Sequence, residues 1–300
     1  MSAVSLSSWI PVTFDTDVEG TEVQASTVSA VGRMRAMTSN AHEVPMLLGA
    51  DVSGGVTLTD DTFNGKKATM YSYLFNGKQT LEEDEVEDAS GDAIGAYSIE
   101  WVNEMNISYD NASLGVTGAR SSTETDYRPY NSVYYSVRHT NSDTGYTADT
   151  NYAAGAFTYE TTSTCLKKLE TGRFFNSSST VFIAHPSLRD GMRNIKDQQD
   201  RPIFIEGQGG VTDDRLHKLP VFWSLGAIAS TTFKRTVTGN PLLVAVNRRV
   251  LVYGPRIEPQ ARLIPASQNP DSLEHVLQHR ARRGFVLTIP QAASVLEVNA

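Results

Sequence analysis

The chain has 300 residues, 40% of them hydrophobic, with one cysteine and a formal net charge of −8. That length and apolar content suffice for one large domain or two smaller ones with a real core, while the acidic balance argues against a dedicated nucleic-acid binder, which needs a net basic footprint. A single cysteine excludes an internal disulfide framework, and with no apolar run of ~18 residues and no signal-like start the chain is expected to fold in a cytoplasm, away from any membrane.

Residues 1–40 show no sustained period. Trp9, Ile10, Val12 and Phe14 crowd four large apolar side chains into six positions; the segment is either disordered or buried against another surface, and the exposed liability favours burial. Val31 to Met37 predicts one or two helical turns. Residues 44–77 predict a long hairpin: Val44 to Val52 is extended, Gly54-Gly55, Asp60-Asp61 and Asn64-Gly65 supply turn chemistry, and Lys67 to Phe75 returns as a strand. Two strands alone are marginal in water, so this hairpin must rest on a partner. Thr80-Leu81-Glu82-Glu83 has the capping-box form, and Glu82 to Glu85 suit the positive end of a helix dipole, so a helix is predicted to start at Thr80. Val86, Ala93, Tyr97, Trp101 and Met105 form one stripe that carries the helix to about Asn111. Gly91 and Gly95 cost it about 1 kcal/mol each relative to Ala, so tertiary packing must hold it.

From Gly115 to Gly155 the chain is rich in Ser, Thr, Asn, Tyr and Gly, too long for a bare connector and read as an insertion, with short strands or a hairpin at Tyr127 to Tyr130 and Tyr134 to Val137. Thr161 to Leu169 predicts a helix with Cys165, Leu166 and Leu169 inward. Thr180 to Ala184 is a short β-branched apolar run, hence a buried strand. After the turn at His185-Pro186-Ser187, Leu188, Met192 and Ile195 recur at helical spacing, and the short helix ends in the polar run Lys196 to Asp200. Arg201 to Phe204 resumes extended structure. Leu219-Pro220-Val221, Leu242 to Tyr253 and His279 to Val298 read as strands, with turns at Gly239 to Pro241 and Asn269 to Asp271.

The chemistry-bearing motifs are missing. The chain has no HExxH, no paired Cys, no P-loop and no G-x-S-x-G, and Gly207-Gln208-Gly209-Gly210 lacks the spacing and context of a dinucleotide fingerprint. No catalytic residue, metal ligand or cofactor is assigned. His275 and His279, four apart, read as solvated or hydrogen-bonded, since a metal site needs a third ligand; Cys165 reads as a small core residue. On a strand, Arg280 and Arg282 point to one face and Arg283 to the other.

The order in residues 180–204, a strand, a Pro-initiated helix containing Leu-Arg, a polar Lys-Asp turn and then Pro-Ile-Phe, resembles the axial domain of tailed-phage major capsid proteins of the Hong Kong 97 type. Leu219-Pro220-Val221, the pair within Leu242 to Tyr253, and the ending HRARRGFVLTIPQAASVLEV, similar to the family's closing long strand, extend the resemblance over about residues 180–300. It implies an α+β fold with an N-terminal arm (1–42), an extended E-loop (43–79), a peripheral domain (80–156 and 250–285) with a long spine helix, and an axial domain (157–249 and 286–300). Some members weld the shell by an isopeptide bond between Lys and Asn, assisted by Glu. Here the aligned positions hold Gly55 or Val56, Asp271 and Gln278, so all three parts are absent.

The implied function is a structural, non-enzymatic one: self-assembly into pentamers and hexamers of an icosahedral shell around double-stranded DNA, with weak non-specific contact to that DNA. The implied partners are a separate scaffolding protein, a portal and, optionally, a decoration protein; the implied place is the virion, assembled in the host bacterial cytoplasm. The inter-subunit contact candidates are Trp9, Ile10, Phe14, Asp60, Asp61, Lys66, Lys67, Glu82, Glu83, Asp271, Arg280, Arg282 and Arg283. For the three arginines, salt bridges to Glu82 to Glu85 of a neighbour are favoured over nucleic acid. Two other readings stand beside this one: an encapsulin-type compartment shell, and a β-rich carbohydrate-binding or carbohydrate-active protein.

Overall fold

The computed structural model describes residues 25–48, 65–82, 93–121, 128–197, 199–207, 213–231, 239–265 and 274–299. In chain order its elements are α1 (Thr27–Val31), β1 (Arg33–Met34), β2 (Ala41–Leu47), β3 (Gly65–Glu82), α2 (Ala93–Leu114), α3 (Val133–Arg138), β4 (Tyr152–Gly155), α4 (Tyr159–Glu170), β5 (Thr180–Ala184), α5 (Leu188–Asn194), β6 (Phe204–Ile205), β7 (Arg215–Leu216), β8 (Leu219–Trp223), β9 (Leu242–Asn247), β10 (Leu251–Ile264), β11 (Glu274–Leu287), a 3-10 turn (Pro290–Ala292) and β12 (Ala293–Val298). The strands form a five-stranded sheet in the order β1-β10-β11-β3-β2 and a seven-stranded sheet in the order β4-β12-β9-β5-β8-β7-β6.

The middle of the larger sheet is buried on both faces, which is why its strands read as continuous apolar runs. Val181 and Ile183 of β5, Val244 and Val246 of β9 and Val295 of β12 point into one core. Their neighbours Phe182, Ala184, Leu243, Ala245 and Leu296 point into a second core, covered by α4 through Cys165, Leu166 and Leu169 and by α5 through Leu188 and Met192. Thus the sequence-based placement of the strand at Thr180 to Ala184, of the helix facing Cys165 inward and of the short helix after Pro186 agrees with the structure. Cys165 Sγ lies 3.3 Å from Ser294 Oγ, and burial pushes its thiol up to about 11, so it is inert packing.

The first core runs on into the smaller sheet, where Phe75, Ala281 and Phe285 meet Met105 and Tyr109 of α2. Here α2 is held by polar groups as much as apolar ones. Asp110, fully buried, accepts hydrogen bonds from Ser26 Oγ, from the backbone N–H of Thr27 (2.8 Å) and Val28 (3.2 Å), and from Ser224 Oγ (2.7 Å). It thereby satisfies the orphan amides at the start of α1 from a different helix. Asn111 Nδ2 donates to the carbonyls of Gly226 and Ile228 (3.0 Å each), while its Oδ1 accepts from Ser230 Oγ (3.0 Å). A Cβ on Gly226 would come within 2.8 Å of the α2 backbone, so this approach requires glycine.

Several expectations are corrected. Thr80 to Glu82 are not a helix cap: they continue β3, with Val276 opposite Thr80 and His275 opposite Leu81. A capping box contributes about 1 kcal/mol, and an uninterrupted ladder to β11 outweighs it. α2 is described from Ala93, and along its expected apolar stripe Met105 is fully buried, Trp101 is half-buried and Tyr97 is 42% exposed. Val86 lies outside the described residues. Val31 ends the five-residue α1, and Arg33–Met34 pair with β10 instead of continuing a helix. Tyr134 to Val137 are helical, because Ser132 Oγ accepts from Tyr135 N–H (3.0 Å) and starts α3. His279 to Val298 are not one strand: Pro290 removes a ladder donor, and after a 3-10 turn the chain changes sheets.

Burial raises the Asp110 pKa, and its hydrogen bonds offset this only in part. A raised folded-state pKa gives stability that is fully present below the ordinary value of 3.8 and lost as pH rises through the folded value. Asp110→Asn, which keeps one acceptor and adds a misplaced donor, is expected to be less stable than wild type by about 1–3 kcal/mol in acid. That gap should narrow as pH rises, as measured by urea unfolding across a pH series; a gap that widens would contradict the burial argument.

Candidate assembly surface

The smaller sheet extends as a long arm. β3 has 18 residues, a span of about 60 Å, and is flanked by β11 (14 residues) on one side and β2 on the other, in register from Ala41 opposite Tyr71 to Leu47 opposite Gly65. The hairpin expected from residues 44–77 is therefore present and rests on β11, as its marginal stability requires.

Strand alternation gives the arm two unlike faces. One carries Phe75, Ala281 and Phe285 against the core and His279 against α2, its ring stacked on Trp101 at 5.0 Å and its Nε2 3.1 Å from Ser98 Oγ. His279 is thus the hydrogen-bonded residue expected of it. Burial lowers its pKa and keeps the ring neutral. Along the opposite face lie Leu74, Asn76 and Lys78 of β3, Gln278, Arg280 and Arg282 of β11, and Gln260 and Arg262 of β10, brought level by the pairs Leu74 to Arg282, Asn76 to Arg280, Lys78 to Gln278, Gln260 to Arg280 and Arg262 to Gln278.

The three candidate arginines divide as strand parity requires. Arg283 turns inward: its side chain is 13% exposed, Nη1 donates to Asn106 Oδ1 at 2.8 Å, and its guanidinium lies 5.4 Å from the Tyr109 ring centroid. Arg280 turns outward, with Nη2 3.2 Å from Gln260 Oε1, and Arg282 Nη1 reaches Asn40 Oδ1 at 3.5 Å. Arg256 binds the same Asn40 oxygen. Lys78 and Arg262 are exposed beside them. These last three were missed from the sequence. Their signal was available, since Arg262 and Lys78 fall level with Gln278 once the register is known, but no local pattern supplies a register.

The remaining candidates do not form one site. Lys67 pairs with Glu43 across the hairpin (2.7 Å) and Lys66 with Asp143 (3.8 Å), both at exposed positions where such pairs contribute about 0–1 kcal/mol. Glu82 sits directly opposite Glu274 at the end of the β3–β11 ladder. Trp9, Ile10, Phe14, Asp60, Asp61, Glu83 and Asp271 lie outside the described residues, as do Gly55 and Val56; Gln278 is exposed on the basic face. Among the described residues no group of three or more His, Cys, Asp or Glu side chains could hold a metal ion, and no helix is long and apolar enough to cross a membrane.

No family model matches the sequence, and no curated protein matches it. Solved structures do. A structure from Microbacterium phage Oxtober96 superposes with a TM-score of 0.68 at 14% identity, covering 98% of both chains. The capsid of an empty GTA particle computed with C5 symmetry gives 0.71 at 12% identity, covering 99% of this chain and 98% of the other. A structure from Mycobacterium phage Bobi gives 0.71 at 13% identity over 100% of both. The likeness thus spans the whole chain, and the mixed α and β architecture is theirs.

Arg283 and Arg280, three positions apart on one strand, are expected to respond differently to truncation. Arg283→Ala empties a site between α2 and β11 and leaves Asn106 without this donor, and should cost about 1.5–3 kcal/mol of subunit stability. Arg280→Ala, at an exposed position, should stay within about 0.5 kcal/mol. Chemical denaturation of the two variants checks both values; equal losses would contradict the assigned faces.

Proposed function

We propose that the chain is the major capsid protein of a tailed phage, a structural subunit without enzymatic activity that assembles into a closed shell around double-stranded DNA. The observation that carries this reading is the end-to-end likeness to phage structures and to GTA particle capsids at TM-scores up to 0.71, in a chain whose sequence alone resembles the same family. It favours a phage-type capsid over an encapsulin-type compartment or a carbohydrate-active protein. In the proposed assignment residues 1–42 form the N-arm, 43–79 the E-loop, 80–156 and 250–285 the peripheral domain with α2 as spine helix, and 157–249 and 286–300 the axial domain.

The geometry supports a subunit with a rigid body and projecting contacts. Both faces of the central β5-β9-β12 strands are covered within one subunit, whereas the arm exposes one face. A closed shell repeats a heterologous interface around five-fold and six-fold positions, and a projecting arm reaches the neighbour in such an arrangement. A separate scaffolding protein, a portal and an optional decoration protein complete the proposed set of partners, with the virion as the final location and the host cytoplasm as the place of assembly.

Negative-stain imaging of the purified protein is expected to reveal shells or capsomers; monodisperse monomers under all conditions would refute the proposal. Removing residues 1–20, with Trp9, Ile10, Val12 and Phe14, should leave a folded subunit that fails to close shells.

The aligned Lys, Asn and Glu of the isopeptide weld are all replaced, and Gln278 cannot accept a proton as a base. Mature particles boiled in detergent should therefore release a single band near the 32.8 kDa chain mass, whereas a ladder resistant to reduction would reveal covalent links.

A further inference from the structure

The strands of the larger sheet bring three connections to one end. β5 and β9 pair Thr180 with Asn247, and β5 runs parallel to β8 with Phe182 opposite Val221, so the β9–β10 turn, the β7–β8 turn and the segment between α4 and β5 lie side by side. The Arg248 N–H donates to the Ser179 carbonyl and Asn247 Nδ2 to the Phe174 carbonyl, both at 2.9 Å, which ties the first turn to that segment. These connections carry Arg173, Lys218, Arg248 and Arg249, while residues 171–179, 217–218 and 247–250 contain no Asp or Glu. Glu170 borders the first of them, on a helical turn that also holds Lys167 and Lys168. Arg173, Lys218 and Arg249 are exposed and Arg248 is half-buried.

Among the described residues none of the four cations is ion-paired. Two of them are held by aromatic faces instead: the Arg248 guanidinium lies 5.1 Å from the Phe222 ring centroid and that of Arg173 4.8 Å from the Phe174 centroid. Arg248 Nε is buried without an acceptor among the described residues. A ring face orients a guanidinium without neutralising it, so the charge remains available to an anion. The opposite end of the same strands is different. There Glu297 of β12 accepts from Tyr134, Tyr152 and Asn240, Asp110 accepts from Ser224 just beyond β8, and the arginines on that side, Arg138, Arg189 and Arg193, are paired with Asp149 and Glu206.

We propose that the end of the larger sheet carrying Arg173, Lys218, Arg248 and Arg249 is a contact surface for the phosphate backbone of duplex DNA, and hence the end of the subunit that faces the enclosed genome. This rests on the shell reading above and deepens it by giving the subunit an inside. Duplex DNA carries one charge per about 1.7 Å of its axis, so cations spread over three turns meet phosphates in any register and read no sequence. A carboxylate partner on a second copy would instead need a spacing matched to theirs. The net charge of −8 opposes a polyanion over the rest of the chain, which keeps the contact weak and confines it to this end.

The test is binding of a short fluorescent DNA duplex of mixed sequence to the full-length, unassembled chain, followed by anisotropy across a salt series. Each phosphate contact adds about 0.9 to the slope of log affinity against log salt. Arg173→Gln with Arg249→Gln, both at exposed positions, should therefore flatten the slope by about 1.8 and weaken binding at low salt. Arg280→Gln with Arg282→Gln, on the arm, should leave the slope unchanged. The melting midpoint of the first pair, followed by circular dichroism, should match wild type.

An equal loss in both pairs, a loss in the arm pair alone, or no duplex binding by the wild-type chain at low salt would overturn the proposal. So would a first pair that binds the duplex as wild type does but forms no particles, which would assign these cations to a contact between copies. Because the titration uses the unassembled chain, absence of particles from wild type would sink the shell reading, while the slope would still decide whether DNA binds at this end.

Discussion

Asp110 is the group on which the arrangement of this molecule most depends. A carboxylate buried in protein costs several kcal/mol unless its oxygens find donors. Those donors come from two distant parts of the chain: Ser26, Thr27 and Val28 at the start of α1, and Ser224 in the turn after β8. The neighbouring Asn111 fixes the same turn through the carbonyls of Gly226 and Ile228. Displacing any of these segments leaves polar atoms in the core without partners, which apolar packing alone would not penalise so specifically. The C-terminal half of α2 is thereby locked at the junction of the two sheets, and the direction of the whole arm follows from it.

From that junction outward the constraints relax in a definite order. The strands β5, β9 and β12 are buried on both faces, so all their side chains except those at the end of β12 are committed to packing inside one subunit. On the arm only one face is committed. Tyr109 and Tyr130 donate to the backbone carbonyls of Gly284 and Arg283, and Arg283 lies across Tyr109, so the inward face of β11 is bonded to α2 and to the segment before α3. Among the described residues the outward face has no such cover. For a subunit proposed to build a shell this division is useful: the surface offered to neighbours is rigid, because its reverse side is packed, and the residues on it are free to differ without cost to the fold.

Charge follows the same division. The net charge of −8, read as one number, argues against a polyanion partner. The structure gathers Lys78, Arg262, Arg280 and Arg282 on one face of the arm, while the sequence concentrates carboxylates at residues 82–92. An overall acidic charge keeps separate copies of the chain apart through long-range repulsion.

The sequence by itself determined the strands and helices whose neighbours along the chain decide their burial. Thr180 to Ala184, the helix around Cys165 and the turn at Pro186 were legible because periodicity and proline chemistry are local. So was the parity that separates Arg283 from Arg280 and Arg282. Only the tertiary structure decided where a local signal loses to a distant one. Thr80 to Glu82 carry a helix cap in sequence and form a strand because β11, nearly two hundred residues away, pairs with it. Tyr134 to Val137 have strand composition and are helical because Ser132 is buried as a cap. Asp110, near the end of the predicted helix, is the buried acceptor for another helix. The basic face was illegible for the same reason: its cations sit on three strands, one of them far in sequence from the other two, and only the register of the ladder, set by contacts that no local pattern encodes, brings them level.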